Sequence, residues 1–395
     1  MPDVAVIGGG IVGLAIADEV LRVHPDLDVE VHEKESSLAQ HASGRNSGVL
    51  HAGFYYSPDS MKARLTRVGN KLLREFCAER GIPVRDTGKV VVTRSHDELP
   101  RLHDLHQRGM ANGVELELVD EQQLAELEPL ARTSGLALWS PSTGSADPVA
   151  VVEQLAARVR ERGGRVLLGS SVVGAGPGWI ATERDGRTSV GRVVNAAGLH
   201  ADTVARWFGV GEEYRMLPFK GLYWYGSWPA GRLRRHVYPV PDPRNPFLGV
   251  HLTVAANGRA KIGPTAIPAM SREAYSGLEG LSAREAWDVA RTLPRFLTSP
   301  HHDARALVAS EVPKYVHSRL VGEAAQLVPS VRPADFRVKG RAGIRAQLFD
   351  TSANRLEMDF VVREGPGSLH VLNAVSPGWT TALSMAREVV ASWLP

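Results

Sequence analysis

The feature that most constrains the fold is a turn of spaced glycines close to the N-terminus. The pattern Gly8-x-Gly10-x-x-Gly13 directly follows the short apolar run Val4–Ile7. It precedes residues 14–23, where Ala, Leu and Ile recur at the spacing of a buried helix face. A strand, a glycine-rich turn and a helix in this order predict a dinucleotide-binding βαβ unit.

Each position of this unit has a physical reason. Gly8 permits the tight turn, Gly10 allows a pyrophosphate to approach the backbone, and Gly13 lets the helix pack closely on the strand. The second apolar run, Val29–His32, ends at Glu33, whose carboxylate can accept hydrogen bonds from a ribose hydroxyl. A glycine-rich turn in an unrelated fold is the alternative, and the flanking strands and the acid argue against it.

Two later segments also have small residues where a backbone would lie against a cofactor. Residues 43–48 read Ser-Gly-Arg-Asn-Ser-Gly, which suits either a second phosphate contact or an ordinary loop. Residues 193–198 read as a buried strand that ends in Ala-Ala-Gly. Both segments are consistent with a nucleotide lying across the carboxyl ends of parallel strands.

Composition excludes several classes of function. Lys and Arg total 46 against 43 Asp and Glu, a balance too even for a nucleic-acid-binding protein. Cys77 is the single cysteine, so an intramolecular disulfide and the cysteine-rich zinc sites are excluded within one chain. The basic run at 232–235 is either a solvated surface or a weak contact with an anionic membrane.

The sequence also indicates a location. The N-terminus lacks the basic start of a signal peptide, and no charge-free apolar run reaches the roughly 20 residues of a membrane helix. We therefore expect no integral membrane segment and a cytoplasmic location, either free or peripheral to a membrane.

The element pattern predicts an α/β fold with α+β elements, in which a Rossmann-like domain is interrupted by a second domain with a mixed β-sheet. Helices are predicted at residues 60–80, 99–112, 121–127, 148–162, 282–296 and 380–393. Strands are predicted at 165–173 and 369–375, and strand-rich segments at 83–93 and 217–262. The nucleotide domain is assigned to 1–80, 145–215 and 340–395, and the substrate domain to 81–144 and 216–339.

Several longer stretches carry a resemblance to a known family. They include Arg-Asn-Ser-Gly-Val-Leu-His-Ala-Gly-Phe-Tyr-Tyr at 45–56, Pro-Phe-Leu-Gly-Val-His-Leu-Thr at 246–253, and the segments 60–63, 88–89, 238–243, 343–347 and 373–377. The chain resembles the FAD-dependent amino-acid-oxidase-like superfamily and, within it, the L-2-hydroxyglutarate dehydrogenase/oxidase group. The resemblance covers essentially the whole chain.

This resemblance implies FAD, rather than NAD, as the cofactor. The turn at 376–380 would place a helix N-terminus at the pyrimidine edge of the flavin, where the reduced cofactor carries negative charge. The backbone of Val172 would meet the adenine. The implied cofactor-binding residues are Gly8, Gly10, Gly13, Glu33, Lys34, Arg45, Asn46, Ser47, Gly48, Val172, Ala197, Gly198, Pro377, Gly378, Trp379 and Thr380.

The implied reaction is oxidation of L-2-hydroxyglutarate, or a related 2-hydroxy acid, to the 2-oxo acid by hydride transfer to flavin N5. Oxygen or a quinone would be the electron acceptor. An imidazole suits removal of the hydroxyl proton, because its pKa lies near working pH. His251 is the first candidate for this base. His51 is the second, with contact to the flavin ring, even a covalent one, as its alternative role.

A guanidinium is the natural partner of a substrate carboxylate, which makes Arg345 the leading substrate-binding candidate. The other candidates are Lys220, Tyr55, Tyr238, Lys62 and Trp379. Three positions depart from the family pattern. Lys220 replaces an arginine, Leu222 replaces an acid, and Trp379 stands where a small residue is usual.

Those departures leave the substrate open. An FAD enzyme that oxidises an amine, an amino acid or another alcohol is one alternative. Such an amine oxidase needs no proton-abstracting base when its substrate amine is neutral. A flavin-binding protein without turnover and an NAD-dependent dehydrogenase are the others. The two motif histidines and the cationic candidates argue against the first, and the segment 195–198 and the turn at 376–380 argue against the second.

Overall fold

The computed structural model describes residues 1–277, 280–301 and 303–394. In these residues the α-helices are α1 (Ile11–Val23), α2 (Met61–Glu79), α3 (Leu99–Ala111), α4 (Glu121–Leu127), α5 (Pro148–Glu161), α6 (Ala201–Arg206), α7 (Ala283–Leu297), α8 (Ala304–Glu311), α9 (His317–Leu327) and α10 (Gly378–Trp393). None of them combines the length and the apolarity needed to cross a lipid bilayer.

The strands of the same residues form five sheets. In chain order they are β1 (Val4–Ile7), β2 (Val29–His32), β3 (Val49–Leu50), β4 (Lys89–Val92), β5 (Glu117–Val119), β6 (Ala137–Ser140), β7 (Gly144–Ser145), β8 (Arg165–Leu167), β9 (Val172–Gly176), β10 (Trp179–Thr182), β11 (Gly186–Ser189), β12 (Arg192–Asn195), β13 (Tyr214–Gly221), β14 (Trp224–Tyr225), β15 (His236–Pro239), β16 (His251–Val254), β17 (Ala260–Gly263), β18 (Ile267–Pro268), β19 (Val338–Lys339), β20 (Gly343–Asp350), β21 (Arg355–Leu356), β22 (Val361–Gly365) and β23 (Ser368–Asn373).

The first sheet, called here the parallel sheet, has the order β22-β23-β12-β1-β2-β8. Its strands are parallel except for β22 at the edge. Strand β1 is apolar throughout because both of its faces are covered. Val4 and Val6 pack in a core with α1, α5 and α10, whereas Ala5 and Ile7 pack in a second core with α6 and strands β9 and β10. This architecture confirms the predicted α/β fold class.

The largest sheet, called here the mixed sheet, has the order β19-β14-β17-β16-β15-β4-β6-β5. Strands β4 and β15 run parallel, and the other neighbours are antiparallel. Val90, Val92, Val237 and Leu252 lie on one face, in an apolar cluster with α9. Because side chains alternate along a strand, the intervening residues point to the opposite face.

A third sheet has four strands in the order β18-β13-β20-β21. Strands β13 and β20 pair antiparallel, with Phe219 opposite Arg345 and Lys220 opposite Ile344. Directly opposed residues share a face and neighbours alternate. Arg345 and Lys220 therefore lie on opposite faces of this sheet.

The structure differs from the predicted elements at several points. The predicted strand at 165–173 is two strands, β8 and β9, in two different sheets. Between them lie Gly169, at φ +64°, and Ser170, whose N–H groups donate to the carbonyls of Glu35 and Glu33. Helix α1 begins three residues earlier than predicted and α10 two residues earlier. The helices α6, α8 and α9 had no counterpart in the prediction. The domain boundaries stay a prediction.

Candidate active site

The glycine turn joins β1 to α1 and has one crowded side and one open side. A Cβ at Gly8, which has φ +110°, would lie 2.5 Å from the carbonyl oxygen of Ala196, and one at Gly13 would overlap the carbonyl oxygen of Gly8. A Cβ at Gly10 would meet only Ser43 Oγ, at 3.0 Å. The space beside Gly10 is thus open, and the first turn of α1 directs backbone N–H groups toward it.

Glu33 closes β2 and shapes the same turn. Its carboxylate accepts hydrogen bonds from the N–H of Gly9 at 2.9 Å and of Glu35 at 3.0 Å. Lys34 points away from this carboxylate and pairs with Glu35 and, at 2.9 Å, with Glu273. Glu33 is consequently fixed next to the glycine turn.

The loop at 43–48 is held by its own hydrogen bonds. Ser43 Oγ accepts from the N–H of Ile11 at 2.9 Å, which ties the loop to the start of α1. The Asn46 amide donates to the Ser43 carbonyl at 2.8 Å and accepts from the Gly48 N–H at 2.7 Å. The guanidinium of Arg45 lies 4.0 Å from the Tyr275 ring centroid. The loop therefore presents mainly backbone to the open space.

Other predicted cofactor residues border the parallel sheet. Gly198 follows β12, has φ +55°, and would bring a Cβ into open space, and Ala197 precedes it. Val172 begins β9 and is half-buried. These positions leave room along the carboxyl ends of the strands, where the fingerprint predicts a dinucleotide.

The turn at 376–380 joins this region to the predicted catalytic residues. Pro377 precedes α10, and Gly378 is its first residue; both are buried. Thr380 Oγ1 accepts from the N–H of His51 at 3.2 Å and donates to the carbonyl of Val49 at 3.1 Å. The Trp379 side chain packs in the core of the parallel sheet, and its buried indole N–H has no hydrogen-bond partner among the described residues.

The polar face of the mixed sheet brings together residues from distant segments. His251 is 4% exposed, and its ring stacks on Tyr238 with the centroids 3.7 Å apart. Its Nδ1 donates to the carbonyl of Gly249 at 2.8 Å, so in the neutral ring Nε2 carries the free lone pair. Burial, partly offset by the hydrogen bond to Gly249 and reinforced by the cations Lys89, Arg345 and Lys261, lowers the pKa of His251 to about 3.

His51 and His236 flank this group with different hydrogen bonds. His51 Nδ1 is buried and has no hydrogen-bond partner in the part of the chain that the structure describes, while part of the residue remains exposed. His236 uses both ring nitrogens, because Nδ1 accepts from the Val254 N–H at 3.1 Å and Nε2 lies 2.9 Å from Thr87 Oγ1. Burial lowers the pKa of both histidines well below the ordinary value. His236 has a structural role, and His51 retains an atom for a ligand.

We call this group of buried and half-buried side chains the basic recess. Its defining residues are His51, Tyr55, Tyr223, His251, Lys261 and Arg345. Burial lowers the pKa of Arg345, although the residue keeps some exposed surface. Its Nη1 donates to the carbonyl of Thr265 at 2.9 Å. The Tyr55 hydroxyl is buried, and no group within residues 1–277, 280–301 and 303–394 forms a hydrogen bond with it.

The remaining substrate-binding candidates lie elsewhere. Lys220 points to the other face of its sheet and donates to the carbonyl of Ala274 at 2.7 Å. Lys62 lies near the N-terminus of α2, and its Nζ lies 5.6 Å from the centroid of the Phe360 ring. Burial lowers the pKa of Lys62 to about 8, and Asp359 raises it in part. The structure therefore separates Lys220 from Arg345 and brings Tyr238 beside His251.

Two buried lysines were not among the predicted site residues. Lys261 is 5% exposed, donates from Nζ to the carbonyl of Ser47 at 2.8 Å, and has its pKa lowered by burial to about 8. Lys89 is fully buried on the same polar face. The sequence did carry a signal for these two residues, because each is a lysine within an otherwise apolar strand. A lysine at such a position has to point to one covered face of the sheet.

Open space beside Gly10 and Gly198 at the parallel sheet, together with cations around a neutral histidine, fits an enzyme that uses a dinucleotide cofactor. The chain belongs to the family of FAD dependent oxidoreductases, whose sequence model matches residues 3–392. Its cofactor is FAD.

Two similar proteins align with almost the full length of this chain. The mitochondrial L-2-hydroxyglutarate dehydrogenase of Mus musculus is 35% identical, over 97% of this chain and 86% of that protein. The L-2-hydroxyglutarate dehydrogenase of Indibacter alkaliphilus is 34% identical, over 98% of this chain and 97% of that protein.

A solved structure supports the same fold. The L-alpha-glycerophosphate oxidase of Mycoplasma pneumoniae with FAD bound has a TM-score of 0.79 at 24% identity, over 98% of this chain and 94% of that one.

Proposed function

We propose that this protein oxidises L-2-hydroxyglutarate to the 2-oxo acid. The observation that carries the proposal is the electrostatics of the basic recess. The groups that act most strongly on His251 through their charge are three cations, Lys89, Arg345 and Lys261. Such a site favours a substrate with carboxylate groups and a neutral imidazole beside it. The names of the similar dehydrogenases agree with this substrate class.

The residues present fit FAD. Gly8 and Gly13 are crowded against backbone, but Gly10 and Gly198 face open space, as a cradle for a pyrophosphate requires. In this proposal the glycine turn and Glu33 hold the nucleotide half, and the segments 45–48 and 377–380 border the flavin half. When bound, FAD supplies the two-electron acceptor of the reaction.

Arg345 is proposed to bind a substrate carboxylate. One guanidinium N–H is already used by the carbonyl of Thr265, which fixes the plane of the group and leaves other N–H donors. Phe247 lies beside it, with its ring centroid 5.3 Å from the guanidinium carbon. The Tyr55 hydroxyl and the ammonium of Lys261 are further donors at the recess. A dicarboxylate uses more than one of these groups.

His251 is proposed to accept the hydroxyl proton at Nε2. The Gly249 carbonyl fixes the proton on Nδ1, and stacking on Tyr238 fixes the ring plane. With a pKa of about 3, the ring is neutral throughout the physiological range. A bound dianion raises the proton affinity of a nearby imidazole, because its charge opposes that of the cations. His51 has a free Nδ1 and is the second candidate.

The test is an anaerobic titration of the purified FAD-loaded protein, in which the absorbance of the oxidised flavin is monitored. We expect L-2-hydroxyglutarate to bleach the flavin promptly and its D-enantiomer not to. A flavin that ignores L-2-hydroxyglutarate but is bleached by another hydroxy acid or an amine would replace the proposed substrate. Reoxidation by air or by a quinone analogue then distinguishes the two expected acceptors.

A pair of variants tests the binding role of Arg345. Replacing a guanidinium that pairs with a carboxylate typically costs about 2–3 kcal/mol, so Arg345→Met should raise the KM roughly 30- to 150-fold. Arg319→Met removes the same group from an exposed position on α9 and should leave the KM unchanged. Equal KM values for the two variants would remove Arg345 from the substrate site.

A further inference from the structure

Lys89, the first residue of β4, is an unpaired cation inside the protein. Its side chain is fully buried, and among the described residues its Nζ has no hydrogen-bond partner. Three aromatic rings surround it, and the distances from Nζ to their centroids are 4.2 Å for Tyr238, 5.0 Å for Tyr55 and 5.4 Å for Phe54. Ring faces attract a cation, but they replace only part of its lost hydration.

Three other buried lysines are hydrogen-bonded or ion-paired. Lys261 donates to the Ser47 carbonyl, and Lys220 donates to the Ala274 carbonyl. Lys314 pairs with the carboxylates of Glu311 and Glu323. A buried ammonium without such a partner is costly, so Lys89 weakens the fold in a way that these three do not.

The strand register places Lys89 beside the histidines. In the parallel pair of β4 and β15, Lys89 lies opposite His236, on the same face as Tyr238. Its Nζ lies 4.2 Å from the Tyr238 ring centroid, and that centroid lies 3.7 Å from the His251 centroid, so Lys89 is within about 8 Å of His251. The Lys89 charge also lowers the pKa of His51 and of His236.

We propose that Lys89 is a positioning residue that acts by charge, making His251 and His51 weaker proton acceptors when it is protonated and stronger ones when it is not. Its enclosed Nζ cannot touch a substrate, so it acts through the histidines. The inference rests on the proposed function only in that the reaction uses a histidine as base. Burial lowers the pKa of Lys89 to about 7, which places this change inside the working range.

The other charged or titratable groups around His251 do not produce the same change. Lys261 on β17 and Arg345 on β20 also act on it, and Tyr238 on β15 stacks against it. Burial places the pKa of Lys261 at about 8 and raises that of Tyr238, while the guanidinium of Arg345 stays charged. His51 and His236 remain neutral. A change in the proton affinity of His251 that is centred near pH 7 is therefore assigned to Lys89. A separate change near pH 8 is assigned to Lys261.

The first measurement needs no substrate. In FAD-loaded wild-type protein labelled at histidine, we expect the ring resonances of His251 and His51 to shift with an inflection near pH 7, although the rings themselves stay neutral. The inflection should vanish in both Lys89→Met and Lys89→Arg, because neither side chain titrates there. An inflection that persists in Lys89→Met, or that is missing in the wild type, would overturn the proposal.

The second measurement is the pH profile of kcat/KM with the substrate that reduces the flavin. Wild-type values should rise about fivefold through pH 7, as expected for a charge within about 8 Å acting on a general base. Lys89→Met should stay at the high level and Lys89→Arg at the low level through pH 7, so that only the separate change near pH 8 remains in both variants. Lys71→Met, on an exposed lysine of α2, should follow the wild type.

Three profiles of the same shape would mean that Lys89 only supports the fold, and this would overturn the proposal. If L-2-hydroxyglutarate fails to reduce the flavin, the proposed function fails while the histidine titration still decides the role of Lys89. If Lys89→Met does not fold, the wild-type titration and Lys89→Arg decide it.

Discussion

The two halves of the site are built by opposite means. Around the parallel sheet, the cofactor region consists of backbone and of missing side chains, and Gly10 and Gly198 leave space that any larger residue would fill. On the polar face of the mixed sheet, the basic recess consists of charged and aromatic side chains from five or more distant strands and loops. The cofactor region depends on shape over a few residues, and the recess depends on long-range strand register.

This difference implies two kinds of failure. A substitution in the cofactor region should remove FAD and with it all activity. A substitution in the recess should leave FAD in place and change the chemistry. A variant in one region that produced the outcome expected for the other region would contradict this distinction.

The largest effect is expected from Gly13→Ala. The added Cβ would overlap the carbonyl oxygen of Gly8, so α1 cannot pack on β1 as before. The purified protein should lack flavin absorbance. Gly322→Ala is the matched control, because a Cβ there meets nothing within 4 Å. That change in helix α9 should stabilise the protein by about 0.5–1 kcal/mol and retain FAD.

His251→Gln should lower kcat about 10²- to 10⁴-fold, the usual contribution of a general base, with the flavin content unchanged. His103→Gln, on the exposed side of α3, should match the wild type in both respects. Stopped-flow reduction of the flavin provides the rate. Near-full turnover by the His251 variant would favour a neutral amine as the substrate.

Glu33→Gln should weaken FAD binding about tenfold or more, because the neutral amide replaces a carboxylate that accepts two backbone N–H groups. The kcat of the FAD-saturated variant should be unchanged. Reconstitution of the apoprotein with measured FAD concentrations gives the dissociation constant. A lowered kcat at saturation would show that the two halves are not separable at Glu33.

The smallest effect concerns stability. Lys89 has a pKa of about 7 in the fold and an ordinary value near 10.5 when unfolded, so the unfolded chain binds more protons between these values. The contribution of Lys89 to the free energy of unfolding of the wild type therefore rises with pH over that window. Lys89→Met should melt a few degrees higher at pH 6, with the difference shrinking toward pH 10. A pH-independent difference would contradict the buried charge.

The two halves also differ in how far the sequence predicts them. The glycine turn and Glu33 are local, so their spacing predicted the βαβ unit and its orientation. The resemblance named His251, His51 and Arg345 together. The resemblance did not predict that Lys220 and Arg345 lie on opposite faces of their sheet. The face that each residue occupies depends on the pairing of β13 with β20. Lys89 and Lys261 reach the recess only through the order of the mixed sheet.

The link between Thr380 and His51 has a consequence for biosynthesis. Helix α10 spans Gly378–Trp393, packs against α1 and α2 in the core of the parallel sheet, and bonds the backbone of His51 through Thr380. A nascent chain in which α10 is still inside the ribosome lacks this wall. Assembly of the site, and stable capture of the flavin, must therefore follow the emergence of α10.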